Sequence, residues 1–577
     1  MDTPSDLYNC SGHKIKRGVP FLCHLLLFIS VFSFPAVLSA QTDSISDLLQ
    51  KRGEIYFSFK HPQNISLEKL SSMVSLTSVR NDTVFAFANK KQWQTFKTFN
   101  IPYKLLNPLP EFRNSKARLK SGQDWAYYPD YESYGQLMQD FADRYPELCV
   151  LYDIGTTVNG HKLFVLKISD NASKEEAEPA VFYTSGMHGN ELAGFVLLLR
   201  LADTLLSSYA TNPELRKLTD RLEIYINPLA NPDGTYFGGD SSVLQATRFN
   251  ANHADLNRNF PDPVYGLHPD REEWQPETKA MMDFMKAHPT DLSVNFHTGA
   301  EVVNFPWDSW QRDHADNAWY VALSREYADT AIVFGTNYFT SPMFDRGIIK
   351  GYDWYPVSGG RQDYVNYYLH GREVTIELSN TFIPDPSFLP NLWEYNKRSL
   401  IHFMENALYG VRGKITDSQT NKPVKAMISI PGYDKDSSEI YSRKDFGDYY
   451  RLLQTGTYTF EISARGYQTR KIQGVIVNRD SCTRLDVSLA PVRSGINPEK
   501  KEPLYNIWPN PFNNIIHITT PKETNVKYIT LYTTSGTKRK QLSHKGNIYT
   551  SDLPPGIYLL EVTDESGKHS FRMIKDK

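Results

Sequence analysis

Cysteine is scarce in this chain: four in 577 residues. Cys10 and Cys23 lie in the N-terminal leader, and Cys149 and Cys482 fall in segments that read as different domains. A single disulfide between the latter two stays open, but a disulfide framework is excluded, so stability has to come from hydrophobic cores and any bound metal. An excess of one charge is missing as well, with 63 Lys and Arg against 65 Asp and Glu and a formal net charge of −2. Nucleic-acid binding, which calls for a basic excess, is not expected. After the leader there is no apolar run long enough to cross a bilayer, so the mature chain is expected to have no integral membrane span. Internal repeats are absent. At 40% hydrophobic and 22% charged residues the composition is that of globular protein, and the length calls for three or four domains.

Residues 1–40 read as a signal peptide. Lys14, Lys16 and Arg17 precede the apolar run Phe21 to Leu38, and Ser39-Ala40 supplies small residues before a cut at Gln41. The run is short for a span and contains His24, Ser30, Ser33 and Pro35, which favours cleavage over a retained anchor. Residues 41–110 alternate like strands at Glu54 to Phe59 and Thr83 to Ala88. Leu67 to Met73 and Lys91 to Phe99 read as short helices, which makes a small α/β module. The stretch 111–123 is a basic, polar linker through Arg113, Lys116, Arg118 and Lys120, open to a trypsin-like protease.

From 124 to 408 helices alternate with apolar strands. Tyr134 to Arg144, Leu192 to Ser207 and Pro276 to Ala287 have helical periodicity. Cys149 to Ile154, Leu163 to Ile168, Val181 to Thr184, Leu222 to Asn227, Leu292 to Phe296 and Val374 to Leu378 read as strands. The pattern predicts the α/β class, with a mixed, mostly parallel sheet flanked by helices, and its active site at the carboxyl ends of strands. Residues 409–491 turn wholly β, in short alternating runs broken by Gly, Pro and Asp, and predict a small sandwich. A polar linker at 492–503 leads to a second small β-sandwich at 504–577.

Chemistry is concentrated in the α/β domain. His188-Gly189-Asn190-Glu191 places an imidazole and a carboxylate three residues apart between a strand and an apolar helix. Zinc hydrolases hold their metal with two histidines and one glutamate and leave a position open. Taken alone His-x-x-Glu is a weak signal. His297 ends the strand Leu292 to Phe296, before Thr298-Gly299. Asp255 to Phe260 packs carboxylate, amide and guanidinium groups together. Tyr355 lies in a Gly-rich turn, and Glu377 sits in an otherwise apolar strand.

In order, the segments MHGNE, NPDG, RFNANHADLNRNFPD, NFHTGAEVVNFPWD, WYPVSGGRQDY and TIELS resemble the zinc carboxypeptidase family, and within it the regulatory branch of carboxypeptidases N, E, M and D. The resemblance covers nearly all of 124–408. It implies one zinc per chain, held by His188, Glu191 and His297, with Asp255 orienting a ligand histidine. It implies Glu377 as general base and acid, and Arg248 as the partner of zinc in stabilising the oxyanion. Asn257, Arg258 and Tyr355 would recognise a peptide's terminal carboxylate, for which a guanidinium fork is suited. Asp308, with Gln362 in the same pocket, would select C-terminal Lys or Arg. Residues 409–491 resemble the transthyretin-like domain of this branch. Residues 504–577, with Trp508-Pro-Asn-Pro-Phe512 and Leu553-Pro-Pro-Gly-Ile-Tyr-Leu-Leu560, resemble the C-terminal sorting domain of type IX secretion.

The expectation is a secreted zinc exopeptidase that acts on peptide or protein C-termini. It would leave through type IX machinery to the outside or outer surface of a Gram-negative bacterium. A same-fold zinc peptidase of cell-wall peptides and a catalytically silent surface-binding protein are the alternatives. The branch usually lacks a module like 41–110, for which a latency pro-segment is the hypothesis.

Overall fold

In a computed structural model of the protein, residues 44–110, 125–492, 505–519, 525–543, 546–565 and 567–576 are described. The expected signal peptide, the linker 111–123 and all but the first residue of the linker 492–503 lie outside them. The chain divides into two compact units, residues 1–464 with 469–488, and residues 465–468 with 489–577.

The first unit begins with the N-terminal module. Strands β1 (Glu54–Lys60), β2 (Ser75–Arg80), β3 (Thr83–Asn89) and β4 (Tyr103–Leu106) form a sheet in the order β2-β3-β1-β4. All its pairings are antiparallel, so the module is α+β rather than the predicted α/β. Its helices start at side chains that accept from their own first turn: Ser44 with Asp47, and Asn89 with Gln92, each form a reciprocal capping box. Phe57, Leu70, Val74, Trp93 and Phe96 fill its core. Strand β2 lies at the sheet edge. Its register shifts between Leu76 and Ser78, which leaves Thr77 as the extra residue of a bulge.

The central domain is built on eight strands: β5 (Cys149–Thr156), β6 (Lys162–Ile168), β7 (Ala180–Ser185), β8 (Glu223–Asn227), β9 (Leu292–His297), β10 (Ala300–Phe305), β11 (Ile348–Lys350) and β12 (Arg372–Ser379). They run in the order β11-β10-β12-β9-β7-β8-β6-β5. The pairs β7–β8, β7–β9, β9–β12 and β10–β11 are parallel, and β5–β6, β6–β8 and β10–β12 antiparallel. This is the mixed, mostly parallel sheet that the alternation of elements predicts. Every residue of β7, β8, β9 and β12 is buried, as continuous apolar runs require when helices cover both faces. Helix Ala193–Ser208 packs on one face and is buried almost all round, which matches its apolar composition. Helices Asn317–Phe334 and Leu389–Glu405, with β10, complete the domain without having been anticipated.

Residues 410–489 close two sheets around Val411, Ile415, Ile428, Phe460 and Ile462. This sandwich is tied to the central domain by buried ions. Asp316 Oδ2 accepts from Arg372 Nε at 2.8 Å and from Arg451 Nη1 at 2.7 Å, and Arg451 Nη2 also reaches Asp434 at 2.6 Å. Arg372 opens β12, so the network fixes the base of the strand that carries Glu377. Cys149 and Cys482 are both free thiols, so the disulfide left open by the sequence is not formed. The second unit, described by itself, has one three-stranded and one four-stranded sheet around Phe512, Ile516, Leu531 and Leu560. Among the described residues no single helix is long and apolar enough to cross a membrane.

Removing one member of a buried ion triad strands the others in a medium that solvates them poorly. Asp316→Ala should therefore destabilise the first unit by about 3–5 kcal/mol. Calorimetry should read this as a lowered thermal midpoint.

Candidate active site

The carboxyl ends of β7, β9 and β12 meet at one point. His188 and Glu191 lie on the loop that leaves β7, and His297 is the last residue of β9. One donor atom from each of these three buried side chains lies within 4.8 Å of the others. His297 Nδ1 is 2.7 Å from Glu191 Oε2, His188 Nδ1 is 2.9 Å from Glu191 Oε1, and the two Nδ1 atoms are 3.1 Å apart. The loop gets this close to the turn at 231–235 because residue 189 is glycine: a Cβ there would lie 2.3 Å from the Gly234 backbone.

The outward ring nitrogens are fixed from behind. Asp255 Oδ1 is 3.0 Å from His188 Nε2, and the Asn295 amide is 2.7 Å from His297 Nε2. Asn295 was not anticipated, although two residues before His297 on a strand is the same face. Two imidazole nitrogens and a carboxylate turned toward one another, each backed by a second polar group, suit a cation and little else. Burial also pushes the His297 imidazole down to about 4, toward the neutral form that ligates a metal.

Glu377 is placed by register. Parallel pairing of β12 with β9 sets Glu377 beside His297, so both side chains leave the same face of the sheet. Its Oε2 is buried and makes no hydrogen bond among the described residues. Burial, then the charge of Glu191, hold its carboxyl well above the usual range. Arg248 reaches the same point: Nη1 donates to Glu191 Oε1 at 2.7 Å and Nε to Asp255 Oδ2 at 3.3 Å. Burial works against its charge, but Asp255 and Glu191 outweigh that and keep the guanidinium protonated.

Asn257, Arg258, Asp308 and Tyr355 line the cavity that holds His188, Glu191, His297 and Glu377. Gln362 stands behind it and donates from Nε2 to Asp308 Oδ1 at 3.0 Å, and Asn304 Nδ2 donates to the same oxygen at 3.1 Å. Thus all eleven residues singled out in the sequence converge on one site.

Which residues of the N-terminal module enter this site was not legible from the sequence. The Ser75 hydroxyl donates to Asp255 Oδ2 and accepts from Arg248 Nε at 2.7 Å. The Leu76 carbonyl accepts from Arg258 Nη2 at 3.3 Å, and the carbonyl of the bulged Thr77 from the Tyr355 hydroxyl at 3.4 Å. Glu54 Oε2 accepts from the Arg248 backbone N–H at 2.9 Å, and Arg80 donates to the Gly299 carbonyl at 2.8 Å. The cavity left beside Thr77 is ≈ 30 Å³, room for water and too little for a peptide.

Residues 134–399 match the family described as zinc carboxypeptidase, and residues 506–576 match the secretion system C-terminal sorting domain. The chain is 31% identical over 408 residues to the carboxypeptidase N catalytic chain of Rattus norvegicus, covering 65% of this chain and 88% of that one. It is 32% identical over 355 residues to carboxypeptidase M of Mus musculus, covering 59% and 79%. The chain belongs to the zinc carboxypeptidase family. Carboxypeptidase D of Homo sapiens, 36% identical over 392 residues, is much longer: the match covers 65% of this chain and only 28% of that protein. The His188, Glu191 and His297 donor set fits the zinc that the family implies.

Loss of a carboxylate that orients a ligand histidine typically costs 10–100-fold in metal affinity. Asp255→Ala should weaken zinc binding by about that factor. Competition with a chromophoric chelator measures it independently of turnover.

Proposed function

We propose that the chain is a secreted carboxypeptidase that removes Lys or Arg from peptide C-termini. The observation that carries the basic preference is Asp308. Its carboxylate is buried in the same cavity as the histidine–glutamate cluster, and its side-chain donors among the described residues are the Asn304 and Gln362 amides. No Lys or Arg nitrogen lies within ion-pair distance of it among the described residues. Burial pushes its carboxyl up to about 7, although Asn304 and Arg258 pull the other way. A cationic side chain would supply the charge that this pocket lacks; an apolar one would leave it unpaired.

Arg258 and Tyr355 suit the other end of the same substrate residue. The Arg258 Nε is buried and makes no hydrogen bond among the described residues, and its Nη2 holds a backbone carbonyl that a terminal carboxylate could replace. Zinc bound at the histidine–glutamate cluster supplies Lewis acidity toward water and the scissile carbonyl. Glu377, with its free Oε2 and raised pKa, accepts the proton of the attacking water and returns it to the leaving amine. Arg248 offers positive charge to the oxygen on which negative charge develops.

Export through type IX machinery, to the outside or surface of a Gram-negative bacterium, rests on the sorting domain at 506–576. Latency rests on the module's contacts: Ser75, Leu76 and Thr77 take up donors of Arg248, Arg258 and Tyr355 that a substrate needs.

A panel of peptides ending in Arg, Lys, Phe and Glu, with and without chelator, tests the activity. Arg and Lys peptides should be cleaved and chelation should stop it. Asp308→Ala should lower the Arg-to-Phe ratio of kcat/KM on the order of 100-fold, the cost of stranding one charge of a buried pair. An unchanged ratio would refute the assignment. Glu377→Gln should lower kcat by about 1,000-fold with zinc content intact.

A chain beginning at Gln41 should be on the order of 100-fold less active than one beginning near Ser121, because several hydrogen bonds must break before substrate enters. Equal activity would sink the latency reading.

A further inference from the structure

Asp308 is one of three neighbouring carboxylates. Asp262, Asp308 and Asp363 are 1%, 4% and 0% exposed, and none of them has a Lys or Arg nitrogen within 4.0 Å among the described residues. Asp363 Oδ1 accepts the Asp308 backbone N–H at 3.0 Å. Its Oδ2 accepts the Ser309 backbone N–H at 2.8 Å and the Ser309 hydroxyl at 2.6 Å. Asp262 Oδ2 accepts from the Gly359 N–H at 2.9 Å, and its Oδ1 from the Val264 and Tyr265 N–H groups at 2.8 Å each.

Gln362 and Asp363, adjacent on helix Arg361–Tyr368, divide the task of holding residue 308. Gln362 holds its carboxylate and Asp363 its main chain. Room for the carboxylate depends on Gly351, where a Cβ would lie 1.8 Å from Asp308 Oδ1. Asp363 does not line the cavity, so it can reach a substrate only through Asp308.

Both oxygens of Asp363 accept main-chain N–H groups, so an amide could keep only one of these two contacts. A buried carboxylate behind another buried carboxylate is costly unless a cation arrives to meet both. We propose that Asp363 is a positioning residue for the basic-side-chain pocket: it fixes the Asp308 main chain, and its charge adds to that of Asp308 in selecting a guanidinium or ammonium group. This rests on the Lys/Arg reading given above.

The charges that face the pair are known. Arg258 acts on Asp308 in the attractive sense, while Asp262 and Glu373 act in the repulsive sense; Glu373 is itself neutralised by Arg361 at 2.8 Å. For Asp363, burial comes first and the charges of Asp308 and Asp262 follow, all raising its pKa. A cation bound beside the pair therefore favours loss of a proton from it. The sign follows: selection of Arg over Phe strengthens as pH rises through the range in which the pocket ionises.

The test uses the chain beginning near Ser121, with peptides ending in Arg or Phe, from pH 5.5 to 8.5. The wild type should show an Arg-to-Phe ratio of kcat/KM that climbs with pH. Asp363→Asn should lower that ratio about tenfold through KM of the Arg peptide, one pKa unit of lost interaction. It should move the climb to lower pH, because Asp308 loses a like-charged neighbour, and leave the Phe peptide within about threefold. Ser309→Ala, a milder change that removes one donor from Asp363, should move the climb to higher pH, and it decides the matter where Asp363→Asn fails to fold. Equal losses on both peptides, or an unmoved pH profile in the folded variants, would overturn the inference. A wild type indifferent to Arg and Phe would overturn the underlying specificity reading and this inference with it.

Discussion

The structure turns on the guanidinium of Arg248. It lies buried between Glu191 and Asp255, two carboxylates that also flank His188. Without a cation there, two negative side chains would face each other across one imidazole in a medium that screens poorly, and the loop leaving β7 would have no reason to keep Glu191 beside His297. Arg248 thus does locally what Arg361 does for Glu373 and what Lys167 does for Glu223 deeper in the domain, with nitrogen–oxygen separations of 2.8 and 2.7 Å. The difference is position. Arg361 and Lys167 end in the core, whereas Arg248 ends where the β7, β9 and β12 strands deliver their chemistry.

The N-terminal module grips the same residue. Ser75 binds its Nε and Glu54 its backbone N–H, while Arg52 reaches the neighbouring carbonyl of Ala246 at 2.9 Å. Among the described residues, no hydrogen bond or ion pair of the module reaches the inward ring nitrogens of His188 or His297. It closes the cleft through the groups around the cluster, so closure and an intact donor set are compatible. An edge strand is what makes this work: β2 is paired on one side only, and the bulge at Thr77 turns a carbonyl out of the ladder and toward Tyr355.

The catalytic half of this arrangement was legible because it is written in short, ordered segments. Buried runs such as Leu292 to Phe296 announce central strands, and a polar residue that ends or interrupts one, His297 or Glu377, stands out against them. Their adjacency was not legible from spacing, since it comes from the β9–β12 pairing of strands far apart in sequence. The strand Ser75–Arg80 was missed for the opposite reason. Ser-Leu-Thr-Ser-Val-Arg has few apolar residues and no clean alternation, and the partners that explain it lie 173 to 278 residues further along. Helix Asn317–Phe334 was missed because its aromatic and β-branched residues dilute the helical signal, although burial of Tyr320, Leu323, Tyr327, Ala328 and Ala331 on one face fixes it once packed.

Asp363 shows the limit from another side. In sequence it is one more polar residue after Gln362, and only folding brings it under Asp308, 55 positions away. The contrast with the rest of the fold gives it meaning. Where buried charge serves architecture, as at Asp316 and Asp434 with Arg372 and Arg451, opposite charges meet at hydrogen-bond distance and the two carboxylates balance the two guanidiniums. Along the cleft, among the described residues, Asp308 and Glu377 have no Lys or Arg nitrogen at ion-pair distance. A fold able to place arginines so accurately elsewhere had the means to neutralise these as well. Leaving them bare costs stability, which marks them as groups kept for the site rather than for the fold.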